Sequence, residues 1–448
     1  MSIIIPANSA VGGGYAVDNS LRFNDGSSDY LVRTGGTATD GKKFTYSAWF
    51  KRGYLGSGNE LFCIYADNTN RLFLRDTAST TFEFQMQSKS LTTQEMFRDP
   101  SAWYHFVISC DSTQATASDR VKWYLNGVEL TNFGSNFPSL NTIFPHGQST
   151  PNFYIGNGEY NSSPYTQYFD GYMSEVVFVD GQALDPTSFG EFDEDSGIWK
   201  PISVSGLTYG TNGFYLDFES SGSLGNDAVG SNNFTVNNLT AIDQTTDTPT
   251  NNFCTANPLQ TGSGSVSNAP LSDGNLTFTS SQAGSPYPYY FSTFAASQGK
   301  WYAEFKVTTA NSAVIGIGTG AATGYLGAGL YDYSYYYDGT FYNYGSNQGS
   351  QSSYTDGDII GVALDLDNNK IYVAKNNTWQ HSGNPSGNSG GYTIVAPASQ
   401  TGNTATGVYH IAYGDAGGGT PAIQGNFGNA PYTISSGNTD ADGYGNFE

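Results

Sequence analysis

The chain is 448 residues long and carries 39 acidic against 17 basic side chains, a net charge of −22. That imbalance argues against nucleic acid as a partner, since phosphates need Lys and Arg, and no stretch approaches the ~20 apolar residues of a membrane span. What remains open is a solvated surface, a calcium site or a sugar ligand, on a chain long enough for two or three domains.

Taken in chain order, the opening MSIIIPANSA has no basic region and only three consecutive apolar residues, so it is not expected to be a secretory signal. Its extended apolar character suits residues 1–10 to docking against a partner's sheet edge. Short alternating runs follow at FTYSAWF (44–50), RLFLR (71–75), TFEFQMQ (81–87), WYHFVIS (103–109) and VKWYLNGVEL (121–130). Asn126-Gly127 in the last run is a strong hairpin signal, because both central positions of a type I′ turn need positive φ. FYIGN (153–157) and YMSEVVFV (172–179) continue the series, and the acidic FGEFDEDSGIWKP (189–201) closes it.

The spacing predicts an all-β fold: two antiparallel sandwiches of jelly-roll type joined by an extended connector. The first is expected over 1–200. Residues 201–265 form the connector, with strands in GFYLDF (213–218) and FTVNNL (234–239), draped over one or both neighbours. The second spans 266–448, with strands in KWYAEFKV (300–307), AVIGIGT (313–319), DIIGVALDL (358–366), KIYVAK (370–375) and GVYHIAYG (407–414). Asp365 is placed near a strand end and Asp367 at the turn, where it can cap backbone N–H groups.

Few residues have the spacing of chemistry. Cys63, Cys110 and Cys254 are sparse and odd in number, so three buried thiols are expected rather than disulfides or zinc. The four histidines are scattered: His105 and His410 fall in strand patterns, His146 and His381 in loops, and no pair has metal-ligand spacing. Between 320 and 357 lies LYDYSYYYDGTFYNYG (330–345), too rich in tyrosine for one strand to bury. Tyr331, Tyr333, Tyr335, Tyr337 and Tyr342, with Asp338 and Asn343, are therefore the candidate glycan-binding residues, rings stacking on sugar faces while the polar groups bond hydroxyls. The other reading of the same residues is a homo-oligomer interface or a paved sheet edge.

LRFNDGSSDYL, SAWFKR, WYHFVIS with VKWYLNGVEL, and FDGYMSEVVFVDGQAL resemble the laminin-G and concanavalin-A-like group. GKWYAEFKV, IGIGT and GDIIGVALDLDNNKIYVAKN resemble a SPRY domain. The order of the pieces, with DQTTDTPTNNFCTANPL between them, is similar to virion proteins of tailed phages of marine bacteria, in which DADGYGNFE tends to run on into another short segment.

The resemblance implies a virion protein made in the host cytoplasm, part of a tail fibre, spike or surface appendage, that binds a bacterial surface glycan and contacts other virion proteins. A homo-oligomer follows, a trimer suiting a fibre. A capsid or tail decoration protein is the alternative. Laminin-G likeness also implies loop-held Ca²⁺, for which Asp25, Asp29, Asp111 and Asp170 are the candidates. A glycan hydrolase is the third reading. It would use the strand-borne Glu-x-Asp-x-(x)-Glu of related glucanases, but here Glu191-Phe192-Asp193-Glu194-Asp195 lacks the final Glu and its flanks read as a solvated turn. No catalysis is expected.

Overall fold

The structure is a computed structural model that describes residues 14–448, apart from 57, 79, 161–162, 165, 263–269, 282–286, 322–323, 441–442 and 444. The expected docking arm, 1–10, lies outside the described residues. The chain divides into two units whose boundary in sequence falls between Asn252 and Phe253.

In the first unit, Lys43–Arg52 is the middle of an eight-stranded antiparallel sheet. Trp103–Asp111, Val121–Leu125 and Val128–Leu130 follow on one side of it. Gly171–Asp180, Ser20–Phe23 and Gln244–Thr245 follow on the other, with Phe214–Leu216 also paired to Gly171–Asp180. The second sheet runs Thr235–Asn237, Tyr30–Thr34, Asn152–Ile155, Glu60–Tyr65, Arg71–Asp76, Phe82–Met86 and Lys89–Thr92. Alternation sends Phe44, Tyr46 and Phe50 of the first sheet into one core with Phe62, Leu72 and Phe84 of the second. Asn126 and Gly127 have φ of 46° and 78°, the positive pair that the two-residue hairpin requires.

Lys43–Arg52 is buried along both faces. Its outer face is covered by the segments that follow the last long strand: Trp199 donates from Nε1 to His105 Nδ1 at 2.9 Å, and Trp49, Trp103, Tyr172 and Trp199 cluster there. The stretch expected to be a separate connector is divided between the units. Its strands at 214–216, 235–237 and 244–245 complete the sheets of the first, and Ala256–Thr261 joins the second.

The second unit is also a pair of antiparallel sheets. One runs Ala256–Thr261, Tyr289–Ala296, Tyr409–Asp415, Ala313–Gly318, Tyr333–Tyr336, Thr340–Asn343 and Ser346–Ser350. The other runs Leu271–Ser272, Thr277–Thr279, Ala422–Asn426, Lys300–Thr309, Ile359–Asp365, Lys370–Lys375 and Thr378–Trp379, with Tyr392–Thr393 also paired to Lys370–Lys375. Phe305, Val362 and Val373 meet Ile315, Tyr335 and Tyr413 in its core.

The tyrosine-rich stretch is thus not a loop. It forms a hairpin whose strands, Tyr333–Tyr336 and Thr340–Asn343, are the fifth and sixth of a seven-stranded sheet. The acids of the GDIIGVALDLDNNK hairpin sit where expected, Asp365 at the strand end and Asp367 in the turn, but the N–H of the turn itself is capped by Asp365. Asp365 accepts from the Asn368 backbone N–H at 3.0 Å and so caps the turn, while Asp367 accepts from Gly299 N–H at 2.8 Å. Cys63 and Cys110 are buried, but Cys254 is only half-buried, because it lies just past the unit boundary rather than in a strand.

Candidate functional site

The outer face of the seven-stranded sheet in the first unit collects aromatic, cationic and acidic side chains. Alternation in RLFLR turns Leu72 and Leu74 inward and leaves Arg71, Phe73 and Arg75 outside. On the neighbouring strands the pairing aligns Tyr154 with Cys63 and Cys63 with Phe73, and Asn152 with Tyr65 and Tyr65 with Arg71. A register shift between Glu60 and Phe62 places Glu60 opposite Arg75. Such a bulge re-aims a side chain, and here it brings an acid to the outer face.

Tyr160, 40% exposed, lies over Arg71, whose guanidinium carbon is 4.4 Å from that ring centre and 5.2 Å from that of Phe73. Tyr30 and Tyr154 stand 6.1 Å apart, tilted by 32°. The Tyr154 hydroxyl donates to Glu159 Oε2 at 2.6 Å, which also accepts from Asn152 at 3.1 Å. Arg75 is held by Glu83 at 2.9 Å.

Beside this ordered layer are buried polar atoms with no hydrogen-bond partner among the described residues: both carboxyl oxygens of Glu60, both amide atoms of Asn157, and Nε and Nη1 of Arg71. Glu60 is fully buried, its Oε1 is 4.0 Å from Arg75, and a Cβ on Gly158 would lie 1.7 Å from its Oε2. Only glycine lets the chain cross so closely. Burial pushes the Glu60 carboxyl up to about 8, opposed by Arg75 and Arg71. Unsatisfied buried groups cost free energy, and in native proteins they concentrate where a ligand, ion or water completes them.

Residues 25–188 match the family Laminin_G_3, described as the concanavalin A-like lectin/glucanases superfamily. The first unit is lectin-like, and its outer face lies within the matched residues. No curated protein matches the chain. Solved structures similar to it include the SPRY domain of human HERC1, at 14% identity over 38% of this chain and 96% of that one, with a TM-score of 0.29. A heptameric SAP-like pentraxin from Limulus polyphemus matches at 16% identity over 38% of this chain and 78% of that one, with a TM-score of 0.29. A Bacteroides ovatus protein, provisionally named a carbohydrate binding protein, matches at 18% identity over 50% and 59%, with a TM-score of 0.34.

The tyrosines expected to bind sugar lie elsewhere, in the core of the second unit. Tyr331, Tyr333 and Tyr335 are buried. The Tyr331 hydroxyl donates to Thr401 O at 2.8 Å and accepts from its N–H at 2.6 Å, Tyr333 accepts from Val395 N–H at 3.0 Å, and Tyr335 donates to Ser352 O. Rings buried this way have no free face for a sugar, so Tyr331, Tyr333 and Tyr335 are not placed to stack on one. Tyr337, Tyr342 and Asn343 are half-buried and Asp338 is exposed. Asn343 donates to Leu330 O and Asp332 O, and Asp338 accepts from Thr340 N–H at 2.9 Å, so both serve their own turns.

The four aspartates named for calcium do not converge. Asp25, Asp29 and Asp170 lie where Ser20–Phe23 ends and Gly171–Asp180 begins. Asp111 pairs with Lys43, at the far end of the ten-residue strand whose Arg52 pairs with Gly171, roughly 30 Å away by strand rise. Its oxygens accept from Thr113 at 3.0 and 2.6 Å and from Gln114 at 2.7 Å. Among the described residues no three His, Cys, Asp or Glu form a metal-binding group.

The remaining candidates are accounted for locally. Asp193 accepts from Ser196 N–H at 2.9 Å and from Lys200 at 3.1 Å, and Lys200 also reaches Glu191 at 3.4 Å, so these acids stabilise an exposed hairpin. His105 is buried between Ser47 Oγ at 2.8 Å and Trp199, and burial lowers it to about 3. His146, expected in a loop, is fully buried in a short 3-10 turn. A cavity of about 130 Å³ beside Gln87 and Pro138 is below the ~300 Å³ of a small-molecule site.

Proposed function

We propose that this chain is a non-enzymatic virion protein of a tailed phage, and that it binds a host-surface glycan through the outer face of its lectin-like unit. The observation that carries the binding reading is the juxtaposition of the Tyr160–Arg71–Phe73 stack with groups of Glu60, Asn157 and Arg71 that find no hydrogen-bond partner among the described residues. An aromatic face takes the apolar side of a sugar ring, and nearby amide, carboxyl and guanidinium groups meet its hydroxyls. The absence of catalysis is supported by Asp193 and Glu191 being committed to Lys200. The phage assignment is supported by the order of sequence segments.

The test is a glycan array probed with the full chain and with Arg71→Ala. Binding by the wild type that weakens in the variant supports the reading, and a blank array sinks it. Localisation by imaging particles with antibody against the chain tests the virion assignment separately. A decoration role is favoured by one feature, the exposed edge strand Ser346–Ser350 beside Tyr344, which is 65% exposed. In that case the array is blank while the chain co-purifies with particles.

A further inference from the structure

On the covered outer face of the first sheet, three reactive groups meet at hydrogen-bond distance. Lys51 Nζ lies 2.9 Å from Asp247 Oδ2 and 2.8 Å from Asn252 Oδ1. The lysine and aspartate side chains are 1% and 0% exposed. The walls are aromatic: Trp103 donates from Nε1 to Asp247 Oδ1 at 3.1 Å, and the Tyr172 ring centre is 5.5 Å from Nζ. The Asn252 amide is oriented by its own donation from Nδ2 to Ser101 O at 2.7 Å. A nucleophile, a carboxamide and an acid–base group are thus fixed together, with the amine and the carboxylate buried and the amide half-buried.

Attack by the amine requires it to give up a proton, and the Asp247 carboxylate 2.9 Å away is placed to take it. A neutral lysine amine is a nucleophile, and holding it against a carbonyl replaces a bimolecular encounter with a local one.

We propose that Lys51 and Asn252 join in an intramolecular isopeptide bond, with Asp247 as the proton carrier. Asp247 takes a proton from the Lys51 ammonium, and the freed lone pair attacks Cγ of Asn252, forming a C–N bond and a tetrahedral centre. The bond from Cγ to Nδ2 then breaks, its electron pair leaving with the nitrogen. Two of the three ammonium protons pass through Asp247 to that nitrogen, which departs as ammonium. Asp247 ends as the carboxylate it was at the start. No oxidant or co-substrate is consumed.

The position gives the bond a use. Lys51 lies near the end of the strand at the middle of its sheet, and Asn252 is the last residue of the first unit before the chain passes to the second. The link would fasten the exit segment to the core, so that tension along the chain is borne by a covalent bond rather than by the short pairing of Gln244–Thr245 with Ser20–Phe23.

The test is the mass of the purified full chain, followed by peptide mapping. The expected result is a mass one ammonia below the sequence value and a branched peptide joining Lys51 to Asn252. Lys51→Arg, which keeps the charge, and Asp247→Asn should each restore the full mass and two separate peptides, with folding checked by circular dichroism. A wild-type chain of full mass with separate peptides overturns the proposal. A branch at Asp247 with loss of water overturns the assignment of Asn252 as the partner.

Discussion

The protein has two dense sets of tyrosines, and they meet opposite fates. In the second unit Tyr331, Tyr333 and Tyr335 enter the core, and each hydroxyl finds a backbone partner. In the first unit Tyr30 and Tyr160 keep solvent-facing ring surface on the outside of a sheet, beside a buried Tyr154, against arginines and acids whose polar atoms are only partly satisfied among the described residues. Ring density says nothing about which fate applies. What decides it is where the hydroxyl can go: a ring can be buried wherever a carbonyl or amide lies within reach of its tip.

The largest effect that would test this contrast is on stability. Tyr335→Ala should cost about 3–5 kcal/mol, in the range for large-to-small changes in a packed core. Denaturant unfolding of the full chain should show the transition of the second unit moving while that of the first stays. A variant that unfolds at the wild-type midpoint yet loses glycan binding would return the site to the second unit.

Next in size is a pH dependence confined to the first unit. Glu60 is raised from 4.5 to about 8 by burial. As pH rises from 4.5 toward 8, the unfolded chain releases this proton while the folded chain keeps it, so stability falls across that window and levels off above it. Glu60→Gln removes the ionisable group without changing the shape. The wild type should therefore lose stability relative to the variant between pH 5 and pH 8, in thermal melts at matched ionic strength. Parallel curves would mean that Glu60 is paired in solution.

The sandwich architecture was legible because alternation and turn chemistry are local: RLFLR, WYHFVIS and the Asn126-Gly127 hairpin all sit where period and turn place them. The strands in the tyrosine-rich stretch were not, since burying them depends on carbonyls at 352 and 401 that are distant in sequence. The candidate site was missed from the sequence. Alternation in RLFLR could have paired Arg71 and Arg75 on one face, but nothing local announces the bulge that brings Glu60 beside Arg75 or the close passage of Gly158. Trp199 was likewise invisible as a cover for His105, because the contact joins residues 94 positions apart.

A smaller and more specific effect falls on binding. Tyr160→Ala removes an exposed ring worth about 0.5–1.5 kcal/mol where rings stack, so affinity for an array-selected glycan should fall ~2- to 13-fold. Stability should stay within ~0.5 kcal/mol, as for most surface substitutions. Calorimetry reads the first and thermal unfolding the second. A loss of both would mean that the ring holds the sheet rather than a ligand.

The smallest expected effect is the sharpest control. Tyr344 belongs to the tyrosine-rich stretch but is 65% exposed, with its ring outside the core. If hydroxyl partnering and burial separate the two sets, Tyr344→Ala should leave both stability and glycan affinity unchanged, each within ~0.5 kcal/mol. It shares its neighbourhood with the buried tyrosines and its exposure with Tyr160, so it separates position from environment. Weaker glycan binding in this variant would show that the second unit has a ligand surface at its sheet edge after all. A change only in particle association would instead assign that edge to protein contacts.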